Sequence, residues 1–327
     1  MGPAELIQAT AIAREYYLEG MAKTEIADAH GISRYKVARI LDACLTEGIV
    51  KIEINSSALV DTELSERLRA HYGLRHAVVV SGPFSDIGEL REALGRAAAE
   101  LLVEKVNEDD VLGVSWGRTL DTMAQQVRGL PPCHIVQMTG IAGAVQASSV
   151  DLVRKLTSVT RGGSFPIYAP LVVSDPQTAT ALRRQPSIQA AVSRWKTITI
   201  AAVAVGSWDA TGSQLFPILS AKDRRELSGL DVVSEMCSIL FNADGEPLTS
   251  PLTPRTMAIP YVDLARIPEV IAIAGGVAKT AAIRSVLRGH AITSLVTDAD
   301  VAGGLLARDA PTDSSGRLGS RRGGAVA

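Results

Sequence analysis

Two short stretches of the 327-residue chain have the residue types and spacing needed to hold an anion. The first is VLGVSWGRTLDTM, an apolar run ending near Val114, a turn Ser115-Trp116-Gly117, and a helical pattern from about Thr119. Gly113 and Gly117 permit close approach of backbone to a ligand, and Ser115, Arg118 and Thr119 carry donors suited to phosphate oxygens. The second is VIAIAGGVAKTAAI, with paired Gly275 and Gly276 after a strand and Lys279 expected about one turn into the next helix. There the amides of the turn and the ammonium would converge on one negative group. Neither stretch is the dinucleotide G-x-G-x-x-G or the P-loop G-x-x-x-x-G-K-[ST]. Each alone also reads as an ordinary βα turn whose glycine only lets the helix pack.

The elements around these turns follow from the texture of the chain after His76. HAVVV, DDVLGVS, HIVQMT, TITIAAVAVG, SILFNADGEPL, TMAIP, VIAIAGG and ITSLVT read as β-rich runs. Helical patterns such as IGELREALGRAAAELLVEKV, TLDTMAQQV, AAIRSVLRG and DVAGGLLARD lie between them. Continuous apolar strands separated by helices indicate a mostly parallel sheet covered on both faces, an α/β domain. In such sheets ligands sit beyond the carboxyl ends of the strands, where helix N-termini point outward.

The front of the chain is built differently. Residues 5–19 read as a leading helix, and EIADAHGISRYKVARIL (Glu25 to Leu41) reads as two short helices broken by Gly31. Ala27, Gly31, Val37 and Ile40 fall at relative positions five, nine, fifteen and eighteen of a helix-turn-helix. A small residue at Ala27 lets two helices cross closely, and Gly31 can take the left-handed turn between them. Ser33 stands where an N-cap is needed, and Arg34, Tyr35, Lys36 and Arg39 form the exposed face of the second helix. Those side chains suit base edges and phosphates in a major groove, although the same hairpin also occurs in proteins that merely pack it. IVKIEI (Ile49 to Ile54) alternates as a short half-exposed strand, and Asn55-Ser56-Ser57 reads as a hinge. The helical pattern from Leu59 to Gly73 serves as a linker or dimer contact. The expected division is therefore a helix-turn-helix domain over 1–55, a linker helix over 56–75, an α/β domain over 76–308 and a disordered tail over 309–327. The tail is Gly, Ser and Arg with almost nothing to bury.

Composition narrows the function classes. A net charge of −2 excludes a generally basic nucleic-acid coat, though not a small reading head. Residues 1–54 hold six Lys or Arg against eight Asp or Glu, yet Ser33 to Leu41 has three basic residues and no acid. Weak charge per head predicts that binding requires several heads on one site. No apolar run approaches the roughly 20 residues that cross a bilayer, and no signal sequence is evident, so a cytoplasmic location without membrane contact is expected. Cys44, Cys133 and Cys237 are far apart, and the five histidines are scattered. No metal site and no cofactor are expected. Two glycine turns in one sheet, joined to a hairpin that can read DNA, favour a cradle for a phosphorylated small molecule.

The segments EIADAHGISRYKVARILDACLTEGIVKIEI, GVSWGRTL, AGGVAKTAAIRSVLRG and SLVTDADVAGGLL also carry a resemblance. Over about residues 6–308 the chain resembles the SorC family of bacterial transcriptional regulators, which includes DeoR-type and central-glycolytic-gene repressors. The resemblance implies an N-terminal all-α, winged-type helix-turn-helix domain and a C-terminal domain like sugar-phosphate isomerases and CoA transferases. It further implies operator DNA and a phosphorylated sugar effector as partners, and assembly as dimers or tetramers. By motif, Ser115, Trp116, Gly117, Arg118 and Thr119 match the family's first phosphate loop, and Gly275, Gly276 and Lys279 its second. VVSEMCSILFNADG resembles a segment usually written Gly-Asp or Gly-Glu before an apolar run, which puts Glu235 where an acidic residue faces the effector's hydroxyls. Asp298 matches a recurring Thr-Asp pair, for a ligand or a structural role. Ser234 stands where glycine is usual, and Ala22 where a hydroxyl residue commonly caps the first hairpin helix.

These readings converge on a sugar-phosphate-responsive transcriptional regulator without catalysis. Two alternatives stand beside it. One is an isomerase or deaminase using Glu235 and Lys279 for proton transfer beside a carbonyl. The other is a regulator sensing a neutral sugar or polyol.

Overall fold

The apolar face of the helical hairpin finds its partner in the leading helix. α1 (Pro3–Tyr17), α2 (Lys23–His30) and α3 (Arg34–Thr46) enclose a core in which Ile12, Ile26, Val37 and Cys44 are fully buried. Gly31 ends α2 in the left-handed region at φ +62°, and the Ile32 amide then bonds to the Ala27 carbonyl at 3.0 Å. Ser33 caps α3, its Oγ accepting from the Lys36 amide at 3.2 Å. Ala22 lacks a capping oxygen, but Glu25 reaches back and accepts from the Ala22 amide at 2.8 Å, keeping half of a capping box.

The computed structural model describes residues 2–51, 59–142 and 149–308, and the chain divides into two units, Met1–Asn55 and Ser56–Ala327. The strand expected over Ile49 to Ile54 falls partly outside the described residues, as do the Asn55–Ser57 hinge and the tail from 309. Ile49 and Val50 form no strand; they pack on the helical core.

The second unit begins with α4 (Thr62–Tyr72), which starts later than the pattern from Leu59 suggests. Asp61 sets the start, its carboxylate accepting from the Leu64 amide at 2.9 Å, while Val60 bridges to Val80. Then follow β1 (His76–Val80), α5 (Ile87–Lys105), β2 (Val111–Val114), α6 (Arg118–Gln126), β3 (His134–Gln137), α7 (Ser149–Ser158) and β4 (Ser164–Phe165). Two short helices, α8 (Pro176–Arg183) and α9 (Pro186–Val192), lead to β5 (Ile200–Ala204) and directly to β6 (Gly206–Ser207). After α10 (Ala221–Leu227) come β7 (Ser234–Met236), β8 (Ile239–Phe241) and β9 (Pro247–Leu248), and then α11 (Tyr261–Leu264). The chain closes with β10 (Glu269–Ile273), α12 (Thr280–Arg288), β11 (Ser294–Asp298) and α13 (Ala299–Arg308).

Seven strands form one parallel sheet in the order β1-β11-β10-β5-β2-β3-β4. Alternate residues of one strand enter different cores: Ala201 and Val203 pack on one face, Ile200 and Ala202 on the other. β10 splits the same way, with Val270 and Ala272 opposite Ile271 and Ile273. That is the burial on both faces which uninterrupted apolar strands require. From β2 the chain proceeds outward to β3 and β4, whereas from β5 it proceeds the other way to β10 and β11. The gap between β2 and β5 is therefore a topological switch point, where an open α/β sheet leaves a crevice.

Two β-rich runs do not join this sheet. SILFNADGEPL forms part of a small antiparallel sheet, β6-β7-β8-β9, and TMAIP makes only single bridges, Thr256 to Val172 and Ala258 to Thr139. The turn between β7 and β8 is only Cys237-Ser238, too short for a crossover, so this pairing must be antiparallel. Both turn residues have positive φ, +53° and +65°.

Candidate anion-binding site

The switch point is where the two glycine turns meet. A cavity of about 70 Å³ lies beyond the ends of β2, β5 and β10. Trp116, Gly117, Arg118 and Thr119 line it from the first turn, and Gly275 and Lys279 from the second. Close packing explains the glycines. A Cβ on Gly117 would lie 2.8 Å from the Ala204 Cβ, and one on Gly275 2.5 Å from Asp298 Oδ2 and 2.6 Å from Leu94 Cδ1.

Two expected members stand aside. Ser115 is 1% exposed; its amide donates to the Ala202 carbonyl at 3.1 Å and its Oγ accepts from the Ala204 amide at 3.3 Å. It thus prolongs the β2–β5 pairing rather than lining the cavity. Gly276, at φ +92°, faces a neighbouring cleft, and its amide donates to Asp298 Oδ2 at 2.6 Å. The other Asp298 oxygen accepts from the Val301 amide at 3.0 Å, capping the start of α13. Asp298 is therefore a brace between the second turn and α13. Lys279 also differs from expectation, because Val277–Lys279 is a 3₁₀ turn and α12 begins only at Thr280. This places the Lys279 side chain across the mouth of β5, where Nζ donates to the Val205 carbonyl at 2.8 Å.

Glu235 reaches the same cavity through the small sheet. β6 continues directly from β5, and Gly206 pairs with Glu235 of β7. Gly206 is needed there, since a Cβ would lie 2.6 Å from Glu235 Oε1. Ser234, in place of the usual glycine, is accommodated with its hydroxyl 3.0 Å from Ser285 Oγ on α12 and no positive φ. Glu235 is 8% exposed; Ser213 Oγ donates to Oε1 at 3.4 Å, and the Ser238 and Gln214 amides also donate toward it. Burial raises the Glu235 pKa above the ordinary carboxylate value, opposed by the Lys279 charge and these hydrogen bonds. Burial lowers the Lys279 pKa, opposed by Glu235 and reinforced by Arg118 and Arg91. The two groups are thus an opposed pair, each pressed toward neutrality by lost water.

Sequence reasoning missed two contributors. The loop after β6 is folded on Asp209, whose carboxylate accepts from the Thr211 and Gly212 amides at 2.8 and 2.7 Å. It carries Gly212 and Gln214 to the cavity, and its Thr211 carbonyl accepts from Arg118 Nη2 at 2.9 Å. A Ser-Trp-Asp-Ala-Thr-Gly run looks like any turn in sequence. The other is Arg91 of α5, which lines the cavity from a helix that carries no glycine-turn signal. A second cavity, of about 640 Å³, lies behind the Cys237–Ser238 turn, walled by side chains such as Trp195, Ile239 and Tyr261. It touches neither glycine turn.

In the first unit, Arg34, Tyr35, Lys36 and Arg39 all stand exposed on one stretch of α3, Tyr35 at 75%. Ser33 is exposed too, but its hydroxyl is spent on the cap.

An α/β unit with a cation-lined crevice at its switch point, joined to a helical hairpin, defines the class of ligand-binding regulators. Residues 57–307 match the Sugar-bind family model, described as "Putative sugar-binding domain", and the chain belongs to that family. It is 26% identical over 309 residues to the "Uncharacterized transcriptional regulator YjhU" of Escherichia coli K12, covering 90% of this chain and 93% of that protein. It is 28% identical over 305 residues to the "Deoxyribonucleoside regulator" of Bacillus subtilis 168, covering 90% and 95%. The full-length sorbitol operon regulator SorC of Klebsiella pneumoniae shares the fold with a TM-score of 0.70 at 24% identity, covering 93% of this chain and 99% of that one. The chain is thus a member of the sugar-binding-domain family whose relatives are named as transcriptional regulators, and it has the fold of SorC. Among the described residues no helix is long and apolar enough to cross a membrane.

Proposed function

We propose that this protein binds operator DNA through α3 and that a phosphorylated sugar in the switch-point cavity controls that binding. Ser33 positions the N-terminus of α3, and Arg34, Tyr35, Lys36 and Arg39 contact bases and phosphates in the major groove. The effector's phosphate sits among the amides at the start of α6, Arg118, Thr119 and Lys279, with Trp116, Gly117 and Gly275 shaping the approach. Glu235 takes the sugar hydroxyls. Ser115 and Gly276 hold the two turns in place from behind. The observation that carries the reading is one cavity with Arg118, Lys279 and a helix N-terminus on its walls and a buried carboxylate, Glu235, beside them.

Arg118 and Lys279 both lie on the walls of this cavity, so a sugar phosphate meets both on entry. Lys279 and Arg118 are held by single bonds to the Val205 and Thr211 carbonyls, which a phosphate outcompetes because it is charged. Such an exchange gives the effector a structural consequence within the unit. Linkage then requires that the effector's preference for one arrangement equal its effect on DNA affinity. The chain works as a dimer or tetramer, since each reading head carries few positive charges and one operator must engage several.

The test is thermal shift of the full chain against matched phosphorylated and free sugars, followed by operator binding with each hit. Stabilisation by a phosphorylated sugar that also changes operator affinity supports the proposal. Stabilisation by free sugars or polyols alone refutes the phosphate assignment, and sustained turnover of a sugar phosphate refutes the non-enzymatic one.

A further inference from the structure

The crossing of α5 and α6 places a third cation at the cavity. Gly95 marks the closest approach: a Cβ there would lie 2.6 Å from Thr122 Cγ2 and 3.0 Å from the Met123 amide nitrogen. Both helices follow parallel strands and run in the same direction. Arg91 lies one turn before Gly95, and Arg118 one turn before Thr122, so the two residues leave the crossing toward the same end. Both line the cavity with Lys279.

We propose that Arg91 makes this site selective for doubly charged anions, so that it takes a phosphate monoester dianion in preference to a singly charged ester. The inference rests on the phosphorylated-effector reading above. Three cations face one buried carboxylate, Glu235, and Glu235 is the partner of Lys279. Among the described residues Glu235 is the one carboxylate on the cavity lining, with Asp209 attracting Lys279 and Glu92 and Asp86 attracting Arg91 from outside it. Two positive charges therefore have no counter-charge on the wall itself, matching a ligand of charge −2. Among the described residues Arg118 donates only to the neutral Thr211 carbonyl. Arg91 is half-buried, and its guanidinium makes no hydrogen bond or ion pair with any described residue. Asp86 and Glu92 attract it from its own element, but lost water and the Arg118 charge outweigh them and press its pKa below the ordinary arginine value. An incoming dianion relieves that repulsion and offers oxygens to a planar fork that none of the described residues engages.

The experiment titrates the full chain, by calorimetry, with the phosphate and sulfate monoesters of glycerol, ribose and glucose. The sulfate ester copies the phosphate's shape with one negative charge less. The parent protein is expected to prefer the best-binding phosphate ester to its sulfate by about tenfold or more. Arg91→Ala is expected to weaken the phosphate ester about tenfold and the sulfate far less, collapsing the preference, with operator binding retained. Arg91→Lys, which keeps the charge and loses the fork, should fall between; it also serves if the alanine variant does not fold. An unchanged phosphate-to-sulfate ratio in either variant overturns the role of Arg91. If the parent binds free sugars and neither ester, the underlying phosphate reading fails and takes this proposal with it.

Discussion

Gly206→Ala tests how Glu235 is held. The backbone of Gly206 is not in the positive-φ region, so alanine is tolerated by the main chain and the effect comes from space alone. The new Cβ would lie 2.6 Å from Glu235 Oε1 and 3.1 Å from both Cδ and Cγ. An exposed glutamate would swing away from such a contact. Here the side chain is 8% exposed and accepts from Ser213 and from the Ser238 and Gln214 amides, so moving it breaks bonds that water does not replace. Overpacking of this kind costs about 1–3 kcal/mol. In a unit of this size that lowers Tm by roughly 2–12 °C, from about 2–4 °C per kcal/mol. Loss of one hydroxyl hydrogen bond to the effector, about 0.5–1.5 kcal/mol, weakens its binding by roughly 2–12-fold. Differential scanning calorimetry and effector titration read the two effects. Glu235→Asp withdraws the carboxylate by one methylene, so in the double variant Gly206→Ala should cost less than it does alone. Equal Tm and effector affinity in parent and Gly206→Ala would falsify the placement of Glu235 against β6.

Other outcomes follow from the same geometry. Arg34→Ala should lose operator affinity in a gel-shift titration while keeping effector affinity by calorimetry; equal operator binding would reassign the reading helix. Lys279→Ala should do the reverse, retaining operator binding but losing the response to a sugar phosphate, with an affinity loss of about tenfold or more for one charged hydrogen bond. Glu235 has a raised folded-state pKa, so its contribution to stability is fully present below its unfolded value and is lost as pH rises through the folded one. In Glu235→Gln that component of the pH–stability curve should vanish, and its persistence would assign it to another group. Asp223 titrates in the opposite sense: Arg255, bonded to it at 2.5 Å, holds its pKa low, so stability is present above the unfolded value and falls as acid protonates it. Arg255→Ala leaves that carboxylate buried and unpaired, which costs about 3–5 kcal/mol by denaturant titration; a change within experimental error would show that the pair is solvated.

Both glycine turns and the hairpin are legible in sequence because each is local. Gly31, Ser33 and Val37 act within one or two helical turns of one another, and Val114 to Thr119 is one strand end and one helix start. The roles inside each turn are less legible. Ser115 and Gly276 have the right types for ligand donors, yet the first is consumed by β5 and the second by Asp298, partners distant in sequence. Lys279 was expected within a helix, and a 3₁₀ turn that no residue pattern marks puts it at the end of β5 instead. SILFNADGEPL has the composition of a buried strand, but composition does not distinguish a parallel partner from an antiparallel one.

By itself the sequence settled the helical hairpin, most strands and helices of the main sheet, where glycine must bend the chain, and that the second unit is an α/β sheet buried on both faces. Those properties depend on residue type and on neighbours a few positions away. Only the tertiary structure decided that Arg91, Arg118, Glu235 and Lys279 share one cavity. Strand order brings β2, β5 and β10 together, β6 leads from β5 to Glu235, and the close crossing at Gly95 delivers Arg91. Each of these is a pairing between distant segments, fixed by how whole faces bury against one another rather than by any local spacing.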